Sequence, residues 1–166
     1  MTNRLFILFG LFACAFAYGA ELAPPPMLQD QYGQNGGLTD YTGEAVLAIV
    51  ATPRKLRWIE RWEAAIRAEM PSLMSIRVAD VTDRPAPDYK KVADMLRKRV
   101  PEDISVLIDL QNQWASHYTL DTSEPCLVLF DSDHNVVAKF RGRPKGQLVD
   151  DVINTLRDYF PAADDS

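Results

Sequence analysis

The side chains that could do chemistry in this 166-residue chain are few, and they gather in two places. The first is Cys126, which follows Glu124 and Pro125 directly. A thiol there could attack a disulfide if a helix start or a cation lowered its pKa. The apolar run Cys126-Leu127-Val128-Leu129-Phe130 supports the other reading, a buried strand cysteine acting as a small hydrophobe. The second place is Arg54, Lys55 and Arg57, three cations at a helix start. Free N–H groups and the helix dipole already favour an anion at such a point. The cluster is therefore either a solvated face, with Arg57 paired to Glu60, or a docking point for an acidic segment or a small anion.

Other constellations fail on their spacing. Asp131-Ser132-Asp133-His134-Asn135 begins like a calcium loop, but Val136 stands where that loop needs glycine and Gly142 where it needs a bidentate glutamate. It reads as a hairpin turn. His117 and Asp121 lie near Ser116 and Ser123, yet neither serine has a nucleophile-elbow context. The two histidines, His117 and His134, and the two cysteines match no zinc spacing, so no metal and no cofactor is expected. Against 18 Lys and Arg the chain sets 23 Asp and Glu, a net charge of −5. No broad basic surface is left for phosphates, and nucleic acid is a poor partner.

The elements that must position these groups begin after a short leader. Residues 1–19 carry Arg4, an apolar run from Leu5 to Ala17 and small residues at its end, the pattern of a secretory signal peptide. The run is shorter than the roughly 20 residues a permanent span needs. Lipid attachment at Cys14 is the competing reading, poorly served by the bulky Phe12. The expectation is export, to a bacterial periplasm first and otherwise outside the cell. Residues 20–42, rich in Pro, Gly, Gln and Asn, read as an extended lead-in, 43–161 as one folded domain and 162–166 as an acidic tail.

Within the domain, Ala45 to Ala51 has the continuous apolar character of a strand buried on both faces. Pro53 opens a helix running to Met70, with Trp58, Ile59, Trp62, Ala65 and Ile66 inward and Glu63 paired to Arg67 on the outer side. Trp58, Trp62 and Trp114 read as packing residues. A strand from Met74 to Val81, a helix from Asp88 to Val100, a strand from Ile104 to Leu110 and a short helix near Gln113 to Tyr118 follow. Cys126 to Asp131 and Val136 to Arg141 form a hairpin, and Gly146 to Phe160 the closing helix. This order describes an α/β domain: a central mixed sheet, parallel in its first part, with helices on both faces.

Three phrases carry a family resemblance. Leu38-Thr39-Asp40-Tyr41-Thr42-Gly43 leads into the first core strand, His117-Tyr118-Thr119-Leu120 precedes Pro125 and the strand to Asp131, and Phe140-Arg141-Gly142 precedes the closing helix. From Leu38 to Phe160 the chain resembles the thioredoxin-like superfamily, and within it the exported TlpA- and ResA-like thiol oxidoreductases. The resemblance implies a three-layer thioredoxin-like sandwich, a cis bond before Pro125, and a Cys-x-x-Cys at the start of the first helix. That position falls within Pro53-Arg54-Lys55-Leu56-Arg57-Trp58, which holds no cysteine, so the dithiol activity does not carry over. What remains is a binding or accessory module whose groove has Arg54, Lys55, Arg57, Glu124 and Pro125 at its lip. Another protein, an extended peptide segment or a second copy of the chain are the partners this leaves. A single-cysteine enzyme or carrier acting through Cys126 is the alternative.

Overall fold

The computed structural model describes residues 25–82 and 86–160. The leader, Cys14 and the acidic tail fall outside the described residues. In chain order the strands are β1 (Leu28–Asp30), β2 (Asn35–Gly36), β3 (Val46–Ala51), β4 (Met74–Asp80), β5 (Leu107–Asp109), β6 (Cys126–Phe130) and β7 (Val136–Arg141). The helices are α1 (Leu56–Arg67), α2 (Tyr89–Arg97), α3 (Gln113–His117) and α4 (Gln147–Tyr159). All seven strands form one sheet in the order β2-β1-β5-β4-β3-β6-β7. β3, β4 and β5 run parallel, while β6 and β7 close one side and β1 and β2 the other as antiparallel additions.

Every residue of β3 is buried, because β4 and β6 flank it and helices cover both faces. Its pleat sorts the core into two halves. Leu47, Ile49 and Ala51 join Leu56, Ile59, Trp62 and Ile66 of α1, Leu96 of α2 and Leu156 of α4. Val46, Ala48 and Val50 join Trp114 of α3, Tyr118, Val128 and Phe130 on the opposite face. The mixed sheet with helices on both faces is the architecture the apolar pattern anticipates.

The lead-in departs from expectation. Its residues 28–30 and 35–36 add two strands to the sheet, with Leu28 buried. Beyond Asp30 the buried Gln31 side chain continues the pairing: its Nε2 donates to the Ile104 carbonyl at 2.6 Å, and the Val106 N–H donates to its Oε1 at 2.8 Å. An amide side chain thus does the work of a backbone, which leaves no apolar period to find. Glu63 also departs. It is buried against β4, its Oε1 2.7 Å from Arg77 Nε and accepting from Ser75 Oγ at 2.8 Å, rather than paired with Arg67.

Two buried aspartates set the ends of the connections around the site. Asp109 accepts from the Gln113 and Trp114 N–H groups at 2.9 and 2.8 Å and so starts α3. Asp80 accepts from Thr82 and, at 2.5 Å, from the Thr122 hydroxyl, which ties the loop before Pro125 to the end of β4. The turn after β6 is the expected hairpin: Asp131 Oδ1 accepts from the N–H groups of Asp133 and Asn135 at 2.9 and 2.8 Å.

Candidate functional site

α1 starts from a single 3-10 turn at Pro53–Lys55, with no acidic residue in its first turn. Leu56, Ile59 and Trp62 face inward, which turns Arg54 and Arg57 outward and leaves Lys55 half-buried at the rim. Opposite stands the loop carrying Glu124. Lys55 Nζ lies 3.9 Å from Glu124 Oε1, so the helix start and the loop meet at this rim. Arg143, two residues past β7, grips the same carboxylate through both oxygens, Nε to Oε2 at 3.1 Å and Nη2 to Oε1 at 3.2 Å. Arg141 lies beside them, its Nη2 2.7 Å from Asp121 Oδ2 and its Nε donating to the Asp121 carbonyl at 3.0 Å.

Trp58 is 7% exposed yet belongs to neither apolar cluster. Three guanidinium groups pack on its ring instead, those of Arg57, Arg61 and Arg143 at 5.0, 4.7 and 5.2 Å from the centroid. It is a buried packing residue as expected, and the cations around its ring make it a platform for them as well. Trp62 and Trp114 are core residues, and the Trp62 indole N–H donates to the Gly142 carbonyl at 3.0 Å. Among the described residues no ion pair joins Arg57 to Glu60.

The expected cis bond before Pro125 is corrected. No peptide bond among the described residues is cis, so the ordinary trans preference of an X-Pro bond, about 0.5–1 kcal/mol, stands here. Pro125 is also buried beneath the lip, and its carbonyl accepts from the Gly142 N–H at 2.8 Å. Gly142 has φ of +140°, and a Cβ there would meet Leu148 Cδ2 at 2.7 Å, so both its backbone and its surroundings call for glycine.

The electrostatics differ from residue to residue. Hydrogen bonds from Arg143 hold the Glu124 carboxyl below its ordinary range, helped by the charges of Lys55 and Arg141. Hydrogen bonding to Ser123 does the same for Asp121, with Arg141 adding to it. Cys126 is free and 2% exposed, and its side chain joins the cluster of Val50, Val128 and Trp114, on the face of the sheet away from α1. Burial pushes its thiol up to about 11. A thiol so placed is a poor nucleophile at neutral pH.

The residues that spacing alone did not bring into the site are Arg61, Asp121, Arg141 and Arg143. The one local signal was Arg141-Gly142-Arg143, a repeat of cations ending a strand that the fold sets beside the Pro125 loop.

The architecture is matched closely by solved structures of known proteins. The fold is thioredoxin-like. The exposed lipoprotein thioredoxin Etrx1 of Streptococcus pneumoniae superposes with a TM-score of 0.64 at 14% identity, over 81% of this chain and 98% of that one. A thiol:disulfide interchange protein DsbE from Chlorobium tepidum gives 0.59 at 18% identity, over 82% and 94%. Yeast Sco1 with copper bound gives 0.58 at 17% identity, over 87% and 98%. The sequence matches no protein-family model and no curated protein. Among the described residues no group of three or more His, Cys, Asp and Glu is placed to hold a metal. No described helix is long and apolar enough to cross a membrane.

Proposed function

We propose that this chain is an exported thioredoxin-like protein that holds a segment of another protein instead of exchanging disulfides. The observation that carries the reading is the chemistry at the start of α1. Where the family resemblance places a Cys-x-x-Cys, the chain has Arg54, Lys55 and Arg57, and across from them Glu124 above the buried Pro125. The helix start that would stabilise a thiolate is spent on cations. Cys126 offers no substitute, since it lies on the other face of the sheet with a raised pKa. Export is supported by the leader pattern of residues 1–19 and by the company of an exposed lipoprotein and a secreted disulfide oxidoreductase of Mycobacterium tuberculosis among the structural neighbours.

An insulin-type disulfide reduction assay on the wild type and on Cys126→Ser tests the central claim. Both should run at the uncatalysed background. Turnover by the wild type that disappears in the variant would overturn the reading in favour of a single-thiol enzyme. Intact-mass measurement of protein recovered from the cell envelope tests export, with a mature chain lacking its first 17 to 20 residues expected from the leader pattern.

A further inference from the structure

Arg143 shows, within this molecule, what a guanidinium on the Trp58 platform can do. It lies over the ring with its centre 5.2 Å from the centroid and still grips both oxygens of Glu124. The two contacts are compatible because a planar guanidinium presents its face to an aromatic ring and keeps its in-plane N–H donors for a carboxylate. Arg57 and Arg61 repeat the first contact, at 5.0 and 4.7 Å from the same centroid, and both are exposed. Among the described residues neither has a carboxylate within ion-pair distance. One occupied fork therefore stands beside two open ones. Meanwhile the chain as a whole carries a net charge of −5, so the concentration of cations at this spot is no sample of the general surface.

We infer that Arg57 and Arg61 are two open carboxylate sites that take an acidic protein segment in extended conformation, with Asp or Glu at alternate residues. The spacing is compatible with such a partner. Both guanidinium centres lie within 5.0 Å of one centroid, so they stand no more than about 10 Å apart. Along α1 the two residues are one turn apart, a rise of about 6 Å. Alternate side chains of an extended segment share a face and repeat every 6.6–6.8 Å or about that, which fits the interval. Adjacent acids would point to opposite faces and offer one carboxylate at a time. Lys55 and Arg54 extend the cationic edge beyond the pair. The negative remainder of the protein repels an acidic segment elsewhere and so orients it toward this lip.

This inference rests on the proposed function, whose held segment it specifies. Fluorescence anisotropy with labelled peptides tests it on the folded protein. A peptide of alternating Gly and Asp should bind, its Asn counterpart should not, and a peptide with the same number of Asp in adjacent pairs should bind several-fold more weakly. Arg57→Gln with Arg61→Gln should weaken the alternating peptide by about tenfold or more. Lys90→Gln with Lys91→Gln, an equal loss of charge on the exposed face of α2, should leave it within about twofold. Arg57→Lys with Arg61→Lys keeps the charge and the fold but removes the planar forks, and should still lose several-fold. Thermal melting confirms that each variant is folded. Equal loss in the α2 variant, full affinity in the double lysine variant, equal binding of a helical peptide with Glu four residues apart, or stronger binding of a DNA single strand of the same charge would each overturn the inference. Binding of the Asn peptide would sink the acidic specificity and leave the segment-holding function standing. Disulfide turnover through Cys126 would sink that function whatever the peptides do.

Discussion

Glu124 and Cys126 flank one proline, and the same cations reach both of them, yet their acid strengths move in opposite directions. At Glu124 the hydrogen bonds of Arg143 dominate, and the carboxyl ionises more readily than usual. At Cys126 the charges of Arg141 and Lys55 also favour ionisation, but desolvation outweighs them and the thiol rises to about 11. The difference is one of access to water and of direct donors. A charge a few ångströms away cannot make a thiolate out of a cysteine whose side chain is packed among Val50, Val128 and Trp114. Nearness to the cations of the rim is therefore insufficient; the face of the sheet decides.

The contrast can be broken most forcefully from the buried side. Cys126→Asp would place a carboxylate where no donor is arranged to meet it, and should destabilise the protein by about 3 kcal/mol or more, measured by chemical denaturation. A stability close to wild type would show that the pocket is wetter than its packing implies. Alkylation of Cys126 at pH 8 comes next. With a pKa raised from the ordinary 9.0 to about 11, the native thiol should react about a hundredfold more slowly than the unfolded one. Fast native labelling would end the comparison.

The pH dependence of stability gives a smaller effect with a definite sign. The folded thiol holds its proton to a higher pH than the unfolded thiol does, so between about pH 9.0 and 11 the native state binds more protons. Stability should therefore fall as pH rises through the window, by on the order of 2 kcal/mol, and Cys126→Ser should remove that part of the slope. The smallest effect belongs to the rim. Glu124→Gln removes an exposed ion pair, and the melting temperature should stay where it is. A clear drop would mean that the lip is part of what holds the domain together.

Much of this arrangement could be read from residue order, and the reason is local. Strand β6 announces itself by a continuous apolar run, buried at every residue, and helix α1 by the three- and four-residue spacing of its inward side chains. The bare helix start, with cations where a dithiol would stand, was equally visible. The platform was not. Arg143 meets Trp58 across 85 residues of sequence, and nothing near either one marks the meeting. Glu63 misled for a similar reason: the i,i+4 spacing to Arg67 is a real helical neighbour relation, but a half-buried partner in Arg77 outcompetes a solvated one. Gln31 hid because its contribution to the sheet comes from an amide side chain.

Gly142 joins the parts of the lip in a way that bears on how fast anything could bind there. Its N–H holds Pro125, its carbonyl holds the Trp62 indole of α1, and Leu148 of α4 closes over the space a side chain would fill. Three elements are thus pinned at one residue, and the rim needs no loop to swing before it is complete. The capture proposed for this rim should then be limited by collision, not by rearrangement. The association rate of a charged segment should respond steeply to ionic strength and hardly at all to substitutions in the core, while the lifetime of the complex is set by the forks alone.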